Sequence, residues 1–199
     1  LKESSAVTPF ESAFSFACLF QFTMSGVYHI LDPGIGRDVF QRLDHAAIFT
    51  LIAGSFTPVH GILFRGFLRW GILSLVWLIA ICGITLKTIF FASVPEWLSL
   101  TFYLSLGWFG IITAILVSLR FGIKYNRLLY LSGLAYTLGA IAEFARMPIL
   151  IPGVFETHEI FHIAVIFGVY AHWRYLYRFA DGFVTLGSGQ VLYTPKNIK

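Results

Sequence analysis

Three histidines in this 199-residue chain stand where imidazoles could hold a metal ion: His29, and the pair in the run His158-Glu159-Ile160-Phe161-His162. Residues four apart on a helix share one face, so His158 and His162 can offer two ring nitrogens to one ion. A third ligand, with the fourth position left to water or substrate, is the open coordination of a catalytic zinc rather than a closed structural one. His29 is the natural third ligand. Ser25 lies one turn before it on the same face, and Asp44 comes from the next segment. A carboxylate there can accept a proton from a water whose pKa the metal has lowered toward ~7. The H-x-x-x-H spacing alone is weak, because such a pair also serves to anchor a helix end at lipid headgroups. Ionisable groups within membrane helices are costly enough to count as functional by default, and the added His29, Asp44 and Ser25 favour a metal.

The elements that must position these residues are helices in a membrane. The chain is 57% hydrophobic and only 12% charged, with a mean hydropathy of +0.78, against about 25% charged residues in ordinary soluble domains. Apolar stretches of about twenty residues recur, each long enough to cross ~30 Å of hydrocarbon. The predicted architecture is all-α, a polytopic transmembrane helical bundle of six spans at about 10–30, 43–64, 68–90, 98–119, 128–150 and 156–179. Pro33 and Gly34 stop the first span, Pro58 predicts a local kink in the second, and Pro148 and Pro152 close the fifth. Residues 1–180 are expected to form a single transmembrane domain, and 181–199 a flexible polar tail. Cys18 and Cys82 both fall in apolar stretches and read as small apolar fillers. The basic residues are scattered and form no stripe, which excludes nucleic acid as a partner.

Parity of crossing places the candidate residues together. If the first helix ends on side X, then the second and sixth begin there, so His29, Asp44, His158 and His162 share X. Four of the fourteen basic residues, Arg37, Arg42, Lys87 and Arg146, fall on X. The excess on the opposite side puts X outside the cytoplasm by the positive-inside rule.

Other polar residues carry structural expectations. His45 points about 100° away from Asp44 on a helix and reads as a hydrogen-bonding core group. His60 and His172 read as interfacial anchors, and Glu143 with Arg146, three apart, as a helix-surface ion pair, the alternative being that Glu143 faces the cavity. Gly133, Gly139 and Ala140 suggest close packing between helices.

The motifs Ser25-Gly-Val-Tyr28-His29, Arg42-Leu-Asp44-His45-Ala-Ala-Ile48, Ile52-Ala-Gly54-Ser55-Phe-Thr57-Pro58, Gly133-Leu-Ala-Tyr136-Thr-Leu-Gly139-Ala140 and His158-Glu159-Ile-Phe161-His162 occur in this order. From about Phe10 to Phe179 the chain resembles the haemolysin III proteins of the progestin and adipoQ receptor (PAQR) family, which are more distantly related to alkaline ceramidases. The resemblance implies a seven-helix bundle holding zinc through three histidines near one membrane face. The six spans here would match its second to seventh helices. Carried over by position, His29, His158 and His162 are metal ligands, while Asp44 and Ser25 attend the water at the zinc. In animal adiponectin receptors the zinc lies toward the cytoplasm, whereas the charge count here points the other way.

Three functional classes follow. The first is a zinc-dependent hydrolase of the plasma membrane that cleaves an amide in a ceramide-like membrane lipid, with Asp44 as general base. The second is a receptor or membrane-state sensor in which zinc braces the first and last helices. The third, a cytolysin, finds little support because the apolar spans are permanent and no amphipathic insertion segment is present.

Overall fold

The computed structural model describes residues 9–152 and 155–180. The predicted tail, 181–199, lies outside the described residues. Six α-helices make up the described chain: α1 (Pro9–Ile30), α2 (Ile35–Leu63), α3 (Phe67–Ile89), α4 (Glu96–Phe121), α5 (Ile123–Ala145) and α6 (Thr157–Ala180). A single 3-10 turn, Phe91–Ser93, stands between α3 and α4. The all-α expectation agrees with this architecture.

Local chemistry sets the boundaries. Pro9 opens α1, where its fixed φ suits the first turn and its missing N–H would have had no helical partner. Gly66 joins α2 to α3 with φ of 59°, and Gly122 alone separates α4 from α5 with φ of 90°. Both turns lie in the left-handed region that a side chain resists, so glycine is the residue that permits such abrupt reversals.

Two spans differ from the hydropathy reading. α2 starts at Ile35 rather than near 43, taking Arg37, Asp38 and Arg42 into the helix. It then continues through Pro58 to Leu63. α5 runs Ile123–Ala145 instead of 128–150, because Arg146 adopts a left-handed conformation (φ 54°) and caps the helix. An apolar window is blind to both shifts, since helices extend past the hydrocarbon and stop where the backbone turns.

The chain divides into two compact units, one of Thr8–Gly107 and one beginning at Trp108. In the first, α2 is flanked by α1 and α3 and is buried around most of its circumference. A Cβ placed on Gly54 would lie 2.5 Å from the Ala17 Cβ, and one on Gly61 would meet the Phe10 ring. Missing side chains on α2 therefore let α1 approach closely. On the opposite flank, a Cβ at Gly83 of α3 would strike Phe49. In the second unit α5 packs on α6, with Gly139 against Ala164 at 2.7 Å by the same measure and Gly168 against Tyr136. Of the expected packing glycines, Gly133 instead faces open space. Within this unit Asn126 is fully buried. Its Nδ2 donates to Ala114 O (3.1 Å) and Ser118 Oγ (2.8 Å), and its Oδ1 accepts from Tyr175 Oη at 3.2 Å. These bonds link α4, α5 and α6.

Leu75, Leu78 and Ile81 on α3, and Leu131, Leu134 and Leu138 on α5, are exposed. Apolar stripes of this kind are a liability in water and cost nothing in hydrocarbon. By length and composition α2, α3, α4 and α5 can each cross a membrane. The two remaining helices, α1 and α6, have 22 and 24 residues; at ~1.5 Å per residue they too can span the core. Their lower hydropathy comes from the polar residues discussed next. Cys18 and Cys82 are free thiols.

Candidate metal centre

The start of α6 is set by its own side chain. Glu159 Oε2 accepts the backbone N–H of Glu156 at 2.8 Å, the returning half of a capping box. This fixes the first turn and with it the direction of His158. His158 and His162 project from successive turns with ring centroids 4.4 Å apart and planes at 82°. Their Nε2 atoms are separated by 2.9 Å.

On the other edge of the His158 ring, Nδ1 lies 3.1 Å from Oε1 of Glu143, in the last turn of α5. An ionised carboxylate only accepts, so Nδ1 carries the proton. The neutral ring then presents its Nε2 lone pair toward His162. Two nitrogens bound at ~2.05 Å to a tetrahedral zinc would stand ~3.3 Å apart. The observed 2.9 Å therefore needs only a slight parting of the rings. The donor chemistry suits zinc: both nitrogens are imidazole, they converge, and one is held in the ligating tautomer.

In the first unit, Phe14, Ala17, Gln21 and Ser25 form the buried stripe of α1. Ser25 is 5% exposed. His29 follows it by one turn, is exposed, and packs its ring 4.6 Å from that of Tyr28. Asp44 is 7% exposed and lies well inside α2 rather than at its mouth, because that helix begins early. Its Oδ1 accepts from Gln21 Nε2 at 3.3 Å. Gln21 Oε1 is buried without a hydrogen-bond partner among the described residues.

The structure thus brings His158 together with His162 in the second unit. In the first it sets Asp44 against the α1 stripe that leads through Ser25 to His29. One polar residue at these places, Gln21, escaped the sequence reading, and another, Glu143, was assigned a different partner. Gln21 sits in a run of apolar residues, and a lone buried amide at helical spacing from Ser25 was its only signal. Glu143 had been paired by spacing with Arg146, but Arg146 has left the helix, and the Glu143 carboxylate engages His158.

Other histidines are structural. His45 donates from Nδ1 to Gln41 O at 2.8 Å. His60 is 1% exposed: its Nδ1 donates to Leu68 O at 2.7 Å between the rings of Phe56 and Phe64. His172, also expected at an interface, is 4% exposed and lies beside Tyr175. Tertiary neighbours enclose both rings.

Long apolar helices with apolar outer faces and buried polar residues on their inner faces define a polytopic integral membrane protein. A profile described as "Haemolysin-III related" matches residues 3–173. The chain is 35% identical over 153 residues to Hemolysin-3 of Bacillus cereus, covering 75% of this chain and 64% of that protein. It is 35% identical over 130 residues to a Hemolysin-3 homolog of Bacillus subtilis (strain 168), covering 64% and 60% respectively. Over 181 residues it is 27% identical to "Heptahelical transmembrane protein ADIPOR3" of Oryza sativa subsp. japonica, covering 81% of this chain and 44% of the relative. The chain belongs to the haemolysin III-related family, within the wider PAQR group. It spans about two thirds or less of the length of these relatives.

Proposed function

We propose that the protein is an intramembrane hydrolase of the plasma membrane that uses zinc to cleave an amide bond in a membrane lipid of the ceramide type. In this scheme the three histidines that the family resemblance implies as ligands, His29, His158 and His162, hold the metal, Asp44 is the general base, and Ser25 helps to position the attacking water. The carrying observation is the convergence of the His158 and His162 Nε2 atoms at 2.9 Å. When bound, zinc supplies Lewis-acid polarisation of the amide carbonyl and makes a nearby water more acidic.

Asp44 receives the proton released as water adds to the carbonyl carbon. It returns that proton to the nitrogen as the C–N bond breaks, leaving a fatty acid and an amine. Gln21 holds Oδ1 of Asp44 by its 3.3 Å bond and so orients the carboxylate. The buried Gln21 Oε1 can accept the N–H or hydroxyl of a lipid headgroup. The buried carboxylate of Asp44 on α2 supplies the acceptor that hydrolysis needs.

The test is metal analysis of the purified protein and its His158→Ala variant, followed by fatty-acid release from a panel of amide lipids. One zinc per chain, absent from H158A, is expected. Asp44→Asn should keep the zinc and lose release. Zinc without release from any amide lipid would return the protein to a sensor role, and full zinc in H158A would remove the centre altogether.

A further inference from the structure

Glu143 takes no part in the chemistry above, yet it makes the side-chain contact that orients His158. Its place follows from the packing of α5 on α6. Gly139, one turn earlier, has no Cβ to hold α6 away at Ala164 and Phe161. One turn further along, the antiparallel pair brings Glu143 Oε1 to 3.1 Å from His158 Nδ1. Glu143 Oε2 is buried with no hydrogen-bond partner among the described residues, so the carboxylate is committed to this corner.

Electrostatics gives that commitment a purpose. His158 stands in the first turn of α6, where the helix end carries roughly +0.5 of an elementary charge and opposes a cation. A carboxylate on the far edge of the ring offsets that opposition. It also pins the Nδ1–H tautomer and the orientation of the ring.

We propose that Glu143 is a positioning residue for a divalent cation, acting through His158 by holding the imidazole in the tautomer and orientation that present Nε2 to the metal. The proposal rests on the zinc centre inferred above. An Arg146 partnership would give Glu143 a surface role only. The tie to His158 predicts instead that the acidic group governs affinity for the ion.

The experiment compares the full chain in detergent with its Glu143→Gln, Glu143→Leu and His158→Ala variants. Zinc affinity is read by competition with a chromophoric chelator, and thermal stability is read on the metal-free proteins. E143L should bind zinc about 10- to 100-fold more weakly while the metal-free protein melts as wild type does. E143Q keeps a neutral acceptor for Nδ1–H and should recover part of the loss. H158A should bind least. Wild-type affinity in E143L together with loss in H158A would overturn the role of Glu143 and leave the zinc centre standing. Wild-type affinity in H158A would sink the centre itself. Should metal-free E143L melt lower, E143Q decides: weakened binding upholds the proposal and unchanged binding overturns it.

Discussion

Gln21 Nε2 lies 3.3 Å from Asp44 Oδ1, joining α1 to α2 through two buried polar groups. Hydrogen bonds between membrane helices average only ~0.6 kcal/mol, but bonds to charged groups reach ~1.5–3 kcal/mol. Gln21→Leu deprives a buried carboxylate of its donor. It should lower the melting temperature in detergent and reduce amide hydrolysis with zinc content unchanged. Gln21→Glu sets two carboxylates side by side and should be the less stable of the two at neutral pH. Equal melting of both variants and wild type would mean that this bond orients nothing.

The α1–α2 contact offers a test in which the sign of the effect is informative. Gly→Ala within a helix ordinarily gains about 0.5–1 kcal/mol. At Gly54 the new Cβ would lie 2.5 Å from that of Ala17, an overlap that costs about 1–3 kcal/mol. Gly54→Ala should therefore destabilise, and adding Ala17→Gly should recover part of the loss. A double-mutant cycle should show coupling above about 0.5 kcal/mol. Stabilisation by the single change would place α1 farther from α2 than described.

Asn126 should be the most sensitive polar residue of the second unit. Its amide donates to Ala114 O and Ser118 Oγ and accepts from Tyr175. Asn126→Leu removes all three bonds at once. Tyr175→Phe removes one bond, at a cost near ~0.6 kcal/mol. Thermal melts should rank wild type, Y175F, then N126L, with the second step the larger. The reverse order would put the weight on Tyr175 packing rather than on the amide.

Particular residues explain what was legible in advance. His158 and His162 could be paired from sequence because helical periodicity alone puts residues four apart on one face, and the capping Glu159 makes that stretch helical from its start. Helix number was legible because each apolar run exceeds the bilayer thickness. The ends of α2 and α5 were not, because hydropathy reports where lipid begins, whereas backbone turns at Gly34 and Arg146 report where the helix begins or ends. Glu143 shows the same limit. Its spacing to Arg146 assumes a helix that continues, but the left-handed Arg146 ends it, and the partner found is fifteen residues away. His60 and His172 looked interfacial by position along their helices, and only neighbouring helices could reveal them as buried.

Metal removal tests the histidine set as a unit. An ion that binds only the folded protein stabilises it by about 2.7 kcal/mol when its free concentration is a hundredfold above Kd. Adding a strong chelator to wild-type protein should therefore lower the melting temperature by several degrees, and zinc should restore it. His158→Ala and His162→Ala each remove one of two nitrogens that face each other at 2.9 Å. Both variants should melt near the chelated wild type and ignore further chelator. His29→Ala should behave likewise if α1 contributes the third ligand. A chelator response retained in H29A but lost in H158A and H162A would restrict the metal to α6 and remove α1 from its coordination.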